Sequence, residues 1–295
     1  MSEAQKKPLP FGFQFLAGAI AGVSEILVMY PLDVVKTRAQ LSTGTNTGIV
    51  ETMKNMIKQE GPASLYRGIL PPIMVEAPKR ATKFAANEQY TTLYKKIFGF
   101  EKVTQSLSIL TGVSAGMTEA VLIVPFELIK VRMQDRSNLG KYNGTADTFR
   151  KVIASEGVLA LFNGLEATMW RHAVWNGAYF GLIFTVKDML PKSKDPNQQR
   201  MTNFAAGTVG GIVATAFNTP FDVVKTRVQS YNGVGPRKYN WTWPGLATVV
   251  REEGAASLYR GFLPKVLRLG PGGGILLVVF ETVSGFIRKN ILKEE

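Results

Sequence analysis

Cysteine is absent from the 295 residues, and histidine occurs once, as His172. The first absence excludes disulfide frameworks, thiolate zinc sites and cysteine nucleophiles. The second excludes metal sites built from paired imidazoles, so neither a metal nor a cofactor is expected. Acidic residues are also scarce: 22 Asp and Glu stand against 35 Lys and Arg, a formal net charge of +13. A chain this basic suits nucleic acid, anionic lipid or a small anion, and its charge says nothing of fold. With 45% hydrophobic residues and 29 glycines it is neither disordered nor collagen-like. The mean hydropathy of +0.04 would ordinarily mark a soluble protein. That average hides an uneven distribution.

One string occurs three times. Pro31-Leu-Asp33-Val-Val-Lys36-Thr-Arg38-Ala-Gln40 returns as Pro125-Phe-Glu127-Leu-Ile-Lys130-Val-Arg132-Met-Gln134 and as Pro220-Phe-Asp222-Val-Val-Lys225-Thr-Arg227-Val-Gln229, at offsets of 94 and 95. A second string keeps step with it. Glu60-Gly61 precedes Leu65-Tyr66-Arg67-Gly68, Glu156-Gly157 precedes Leu161-Phe162-Asn163-Gly164, and Glu253-Gly254 precedes Leu258-Tyr259-Arg260-Gly261. The chain is therefore a triplicated unit of about 97 residues. Residues 1–10 form a tail, and 11–100, 101–197 and 198–295 are the repeats of one structural domain.

Each unit opens with an apolar stretch ending at its proline, 13–30, 107–124 and 201–219, whose only charges are Glu25 and Glu119. That length suits a bilayer-spanning helix. Glycines four apart, Gly18/Gly22, Gly112/Gly116 and Gly207/Gly211, favour close helix approach. The second stretches, 71–98, 167–190 and 264–287, carry charges within them. Ionisable groups at membrane depth cost about 2.5–3.5 kcal/mol each and normally face a watery interior, so six helices with polar inner faces imply a cavity. Short amphipathic runs between the stretches, such as 51–59 and 145–155, fit the membrane surface. The fold class expected is an all-α membrane protein of six transmembrane helices.

Of the 35 bases, 14 lie in the long loops within units and 12 in the termini and short loops, a split too even to set orientation. The other nine lie inside the expected spans. Lys36, Lys130 and Lys225 each follow an acid by three residues, while Lys79, Arg80, Lys83, Arg171, Lys265 and Arg268 have no such partner in the repeated string. Three helices converging on a threefold axis alternate Asp33, Glu127 and Asp222 with Lys36, Lys130 and Lys225, so each acid can reach the next helix's base in a neutral ring.

The tripled Pro-x-[Asp/Glu]-x-x-Lys-x-Arg string, with its [Asp/Glu]-Gly and aromatic-[Lys/Arg]-Gly companions, resembles the mitochondrial carrier family over about residues 11–290. The resemblance implies a threefold pseudo-symmetric barrel in the inner mitochondrial membrane. It also implies surface helices on the matrix side, termini on the intermembrane-space side, and a matrix gate made by the charged ring. Residues 1–10, with Lys6 and Lys7 alone as bases, do not read as a cleavable presequence. The family's opposite gate is degraded to Glu88, Lys187 and Glu281, of which only Glu88 and Lys187 form a matched pair. Arg67, Gly68, Gly164, Arg260 and Gly261 resemble the family's cardiolipin points, with Asn163 the departure at the second of three.

Counting thirteen residues back from Glu88, Phe184 and Glu281 gives Val75, Arg171 and Arg268, each followed by Glu76, His172 and Leu269. These positions resemble the family's substrate contacts, and Lys79, Arg80 and Asn176 lie within about a turn of them. An Arg-His pair there is typical of keto-acid carriers. Two arginines can each grip a carboxylate while the histidine hydrogen-bonds a keto oxygen. The longer strings around Glu76, Arg171 and Arg268 resemble family members that exchange 2-oxodicarboxylates, and small dicarboxylate anions are the expected substrates. Exchange of oxoglutarate for malate, or of tricarboxylates, stays open. Glu25 and Glu119, at equivalent places, either carry a proton or pair with Lys79 or Arg80. A nucleic-acid binder would not need uncharged spans, and no catalytic constellation suggests an enzyme. Three units already enclose a pathway, so no partner subunit is required.

Overall fold

The computed structural model describes residues 9–43, 48–99, 102–189 and 196–292. Six long helices occur among them: α1 (Phe11–Leu41), α3 (Leu70–Phe98), α4 (Gln105–Gln134), α6 (Leu165–Met189), α7 (Pro196–Ser230) and α9 (Phe262–Asn290). Three short ones, α2 (Ile49–Glu60), α5 (Thr145–Glu156) and α8 (Thr242–Glu253), lie between the long helices of each unit, each followed by a 3₁₀ turn. The helices α1, α4 and α7 run on through Pro31, Pro125 and Pro220, beyond the apolar stretches that end there. A proline removes a single N–H from the ladder. The bonds on either side keep these 30- to 35-residue helices continuous and carry the charged string onto the same rods.

The long helices close a ring in the order α1, α3, α4, α6, α7, α9 and back to α1. The helices α1, α4 and α7 also touch one another pairwise, and α3, α6 and α9 show no comparable convergence among the described residues. The enclosed space therefore narrows where the three proline-containing helices meet. Each short helix packs on the first helix of its own unit: Met56 against Ile26, Tyr30 and Val34, Val152 against Leu128 and Ile129, Val249 against Val224 and Val228.

Polarity runs from inside to outside. On α1, Asp33, Thr37 and Gln40 are buried while Leu27 and Val28 are about half exposed, the arrangement expected when the surroundings are lipid. Long apolar stretches that meet the length and composition of a membrane span cover α1, α4 and α9. The expected glycine contacts are uneven. On α4, Gly112 and Gly116 lie against Phe180, Asn176 and His172 of α6, and Gly22 faces Glu76 and Arg80 of α3. Gly207 and Gly211 make ordinary contacts, and Gly18 meets nothing within 4 Å.

Gly261 opens α9 at φ +79°, so close to α1 that an added Cβ would lie 3.0 Å from the Lys36 carbonyl oxygen. Gly61 shares the backbone sign, φ +82°, in open surroundings. Forcing a side chain into the left-handed region costs about 1–2 kcal/mol, and only Gly261 adds a backbone collision. Gly261→Ala should lower the thermal midpoint in detergent clearly more than Gly61→Ala. Equal losses would mean that the approach to α1 carries no stability.

Candidate functional site

At the narrow end the expected ring is closed. The Lys36 ammonium stands 2.7 Å from Asp222, Lys225 stands 3.0 Å from Glu127, and Lys130 pairs with Asp33. Each acid thus meets a base from another unit, as a threefold arrangement of i,i+3 pairs dictates. The six ring residues balance in charge, but three further cations reach their acids. Arg171 approaches Glu127 at 3.4 Å and Asp222 at 3.8 Å, Lys265 approaches Asp222 at 3.4 Å, and Arg268 reaches Asp33 at 3.3 Å. The helices α6 and α9 lean long cations onto acids that have lone pairs left over. Asp222 also accepts a 2.9 Å hydrogen bond from the Gln40 amide, whose oxygen accepts one from Thr226.

Above the ring lie two adjoining cavities of about 320 and 460 Å³ that share Glu25, Asp33, Lys36, Arg171, His172, Asp222 and Arg268. Val75, Glu76, Lys79 and Arg80 line the first, and Lys83 and Asn176 the second. All nine cations singled out in the sequence reach this space, against six acids, a surplus of three positive charges. The Arg171 guanidinium donates to His172 Nε2 at 2.9 Å, which leaves the ring proton on Nδ1. Asn176, nearly buried, donates to the His172 carbonyl and packs against Gly112 and Gly116. Arg268 holds Glu25 with two nitrogens, at 2.8 and 3.2 Å.

The expected pairing of Glu25 and Glu119 with Lys79 or Arg80 is not what the structure has. Glu76 takes both cations, at 2.9 and 2.6 Å, because i,i+3 and i,i+4 spacing on α3 brings them to it first. Glu25 is left to Arg268. Glu119 has no ion pair among the described residues. Glu88 and Glu281 are exposed and unpaired among the described residues, and the Lys187 side chain, the other half of the expected Glu88–Lys187 pair, lies outside them.

A second layer of pairs beneath the ring was not read from the sequence. Arg38 binds Glu60 through two bonds of 2.9 and 2.8 Å, Arg132 binds Glu156, and Arg227 binds Glu253. Arg67 joins Glu60 at 3.0 Å and Arg260 joins Glu253 at 2.8 Å, so these two expected lipid contacts are also structural cations. Burial pushes the Glu253 carboxyl up, but Arg227 and Arg260 outweigh it and leave it below the usual carboxylate range. Gly68, Gly164 and Gly261 pack on the neighbouring unit, against Lys130, Gln229 and Lys36. The signal was present, since both partners of every pair recur in step.

Comparison with known proteins adds a finding of descent. The family described as "Mitochondrial carrier protein" matches residues 7–98, 101–194 and 197–291. A protein of Aspergillus niger named mitochondrial citrate transporter D is 58% identical over 294 residues, covering 96% of both chains. Mitochondrial 2-oxodicarboxylate carrier 2 of Saccharomyces cerevisiae is 50% identical, over 97% of each. The human mitochondrial 2-oxodicarboxylate carrier is 41% identical, over 94% of this chain and 95% of its own.

Proposed function

We propose that this chain, which belongs to the mitochondrial carrier family, is an antiporter of the inner mitochondrial membrane that exchanges 2-oxodicarboxylates such as 2-oxoadipate and 2-oxoglutarate. It is a transporter and not an enzyme. The observation that carries the reading is that Arg171 and Arg268, on different helices, enter one cavity immediately above a closed charged ring. Each already holds carboxylates of this chain: Glu127 and Asp222 for Arg171, Glu25 and Asp33 for Arg268. A bound dicarboxylate offers the same chemistry and competes for both forks. Taking Arg171 from Glu127 and Asp222 removes a tie between α4 and α7, and taking Arg268 from Asp33 removes one between α9 and α1. Substrate therefore weakens the closed state selectively, the differential interaction that alternating access requires. The Nδ1–H of His172 is the donor suited to a keto oxygen.

Tricarboxylate exchange is the second reading, favoured by the surplus of three positive charges and by likeness to a named citrate transporter. The termini face the intermembrane space in this scheme. Anionic lipid such as cardiolipin sits near Gly68, Gly164 and Gly261, where helices begin and offer unpaired N–H groups. The monomer suffices for transport.

Purified protein in liposomes loaded with 2-oxoadipate tests the reading by uptake of labelled 2-oxoglutarate. Malate, citrate and ATP serve as alternative internal substrates. Fast exchange for the oxodicarboxylates and none for ATP is expected. Uptake supported only by malate or citrate would overturn the substrate class and leave the antiporter standing.

A further inference from the structure

We propose that Asn218 of α7 is a specificity-determining residue, whose amide oxygen accepts the hydroxyl proton of a hydroxy acid such as 2-hydroxyglutarate or citrate and so admits hydroxy acids beside keto acids. The inference rests on the antiporter reading and refines the substrate class of the same site.

Asn218 is 3% exposed, lines the second cavity, and its Oδ1 has no hydrogen-bond partner among the described residues. A buried amide oxygen left without a donor costs stability. The repeat shows that the fold does not ask for one, because the equivalent places, two before the proline, hold Met29 and Ile123, both buried. One turn earlier the third unit departs in the same sense. Thr215, also on the second cavity, stands where the other units have Ile26 and Ala120. Thr215, Asn218 and Asp222 are three and four apart and share one face of α7. That face carries a neutral polar stripe from the ring into the cavity, at positions where α1 and α4 have apolar residues.

A keto oxygen needs a donor, whereas a hydroxyl also has a proton to place. The cations around the cavity only donate. His172 Nε2 is taken by Arg171, so its ring offers a donor, Nδ1–H. Asn176 donates to the His172 carbonyl, and its oxygen lies beside α4, 3.4 Å from where a Cβ of Gly112 would stand. The carboxylates accept, but they repel an anionic substrate. A hydroxyl proton is therefore best met by a neutral oxygen, and the Asn218 amide has one to spare. A half-turn of that amide exchanges its oxygen and nitrogen with almost no change of shape. Gly273 of α9 lines the same cavity, and a Cβ there would meet nothing within 4 Å, which leaves room for a substituted carbon. Thr215 is the other neutral oxygen on the α7 wall, and the test separates the two.

The test uses full-length protein in liposomes loaded with 2-oxoglutarate, with labelled 2-oxoglutarate supplied outside. Unlabelled 2-hydroxyglutarate, which carries a hydroxyl in place of the keto oxygen, and glutarate, which has neither, compete for entry. In wild type 2-hydroxyglutarate should compete better than glutarate. In Asn218→Leu, close in volume but without an acceptor, the inhibition constant of 2-hydroxyglutarate relative to the KM for 2-oxoglutarate should rise about tenfold. The same ratio for glutarate should not move, whereas a merely structural residue would weaken every competitor together. Asn218→Ser, which returns a neutral oxygen, should restore part of the preference, and Thr215→Val should leave it in place. Wild type that favours glutarate, an unchanged ratio in Asn218→Leu, an equal loss of glutarate, no recovery in Asn218→Ser, or a loss that follows Thr215→Val instead would each overturn the proposal. If Asn218→Leu does not exchange, Asn218→Ala takes its place in the same ratios. Loss of all exchange in both would assign Asn218 to the fold and overturn the proposal too. Each of these results leaves the antiporter reading standing, and only wild type that does not exchange 2-oxoglutarate at all would overturn that reading as well.

Discussion

Arg171→Ala is expected to reduce exchange by a hundredfold or more while leaving the protein folded. The guanidinium serves two partners at once. It ties Glu127 of α4 to Asp222 of α7 in the closed state, and it is the fork best placed for a substrate carboxylate. Removing one member of a buried, hydrogen-bonded charge pair costs about 2–5 kcal/mol, and about 3 kcal/mol corresponds to roughly a hundredfold in rate. The fold does not depend on it to the same degree. Glu127 keeps Lys225 at 3.0 Å, and Asp222 keeps Lys36 at 2.7 Å and Lys265 at 3.4 Å. The thermal midpoint should therefore move by no more than about 1 kcal/mol of stability, roughly 2–4 °C. Arg171→Lys retains the charge but not the planar fork, and should recover part of the rate with a raised KM. Initial exchange rates in liposomes and melting in detergent check this together. A midpoint that collapses in proportion to the rate would make Arg171 a structural cation and remove it from the transport cycle.

How much of this was legible can be judged residue by residue. Lys79, Arg80, Lys83, Arg171, Lys265 and Arg268 were, because apolar stretches tolerate cations only toward a polar interior, and all six line the cavities with the three lysines of the charged string. The ring was also legible, since an i,i+3 acid and base repeated on three helices has few other ways to pair. The partners above the ring were not. Arg268 and Glu25 are 243 residues apart and meet only because α9 closes the ring against α1. Glu76 could have been read directly: Lys79 and Arg80 stand three and four places on, so a local partner pre-empts a distant one. The continuation of α1, α4 and α7 through their prolines was legible too, since the i,i+3 acid and base of the charged string need one helix face. Hydropathy stops where the charged string starts, but the backbone hydrogen bonds continue through it. The layer beneath the ring joined residues 22 to 26 apart across a turn whose direction no periodicity records.

That layer supplies the largest expected loss of stability. Glu156→Ala should destabilise the protein by about 3–5 kcal/mol, because it strips the partner from a guanidinium buried in the interior. The Arg132 side chain has no exposed surface, and its remaining contact is a 3.4 Å bond from Nε to the Gln229 carbonyl. The other units spread the same load: Glu60 serves Arg38 and Arg67, and Glu253 serves Arg227 and Arg260. In the second unit Asn163 replaces that extra base, so among the described residues Arg132 is the one cation paired with Glu156. Arg67→Ala, at a side chain 32% exposed and with Glu60 still held by Arg38, should cost under about 1 kcal/mol. Melting in detergent separates the two. The double variant Arg132→Met/Glu156→Leu then distinguishes charge from geometry, since a buried pair replaced by apolar groups of similar volume is often neutral. Recovery to near wild type would assign the loss to the stranded cation. A double variant as unstable as Glu156→Ala would assign it to the bond with Gln229, where the second unit is held to the third.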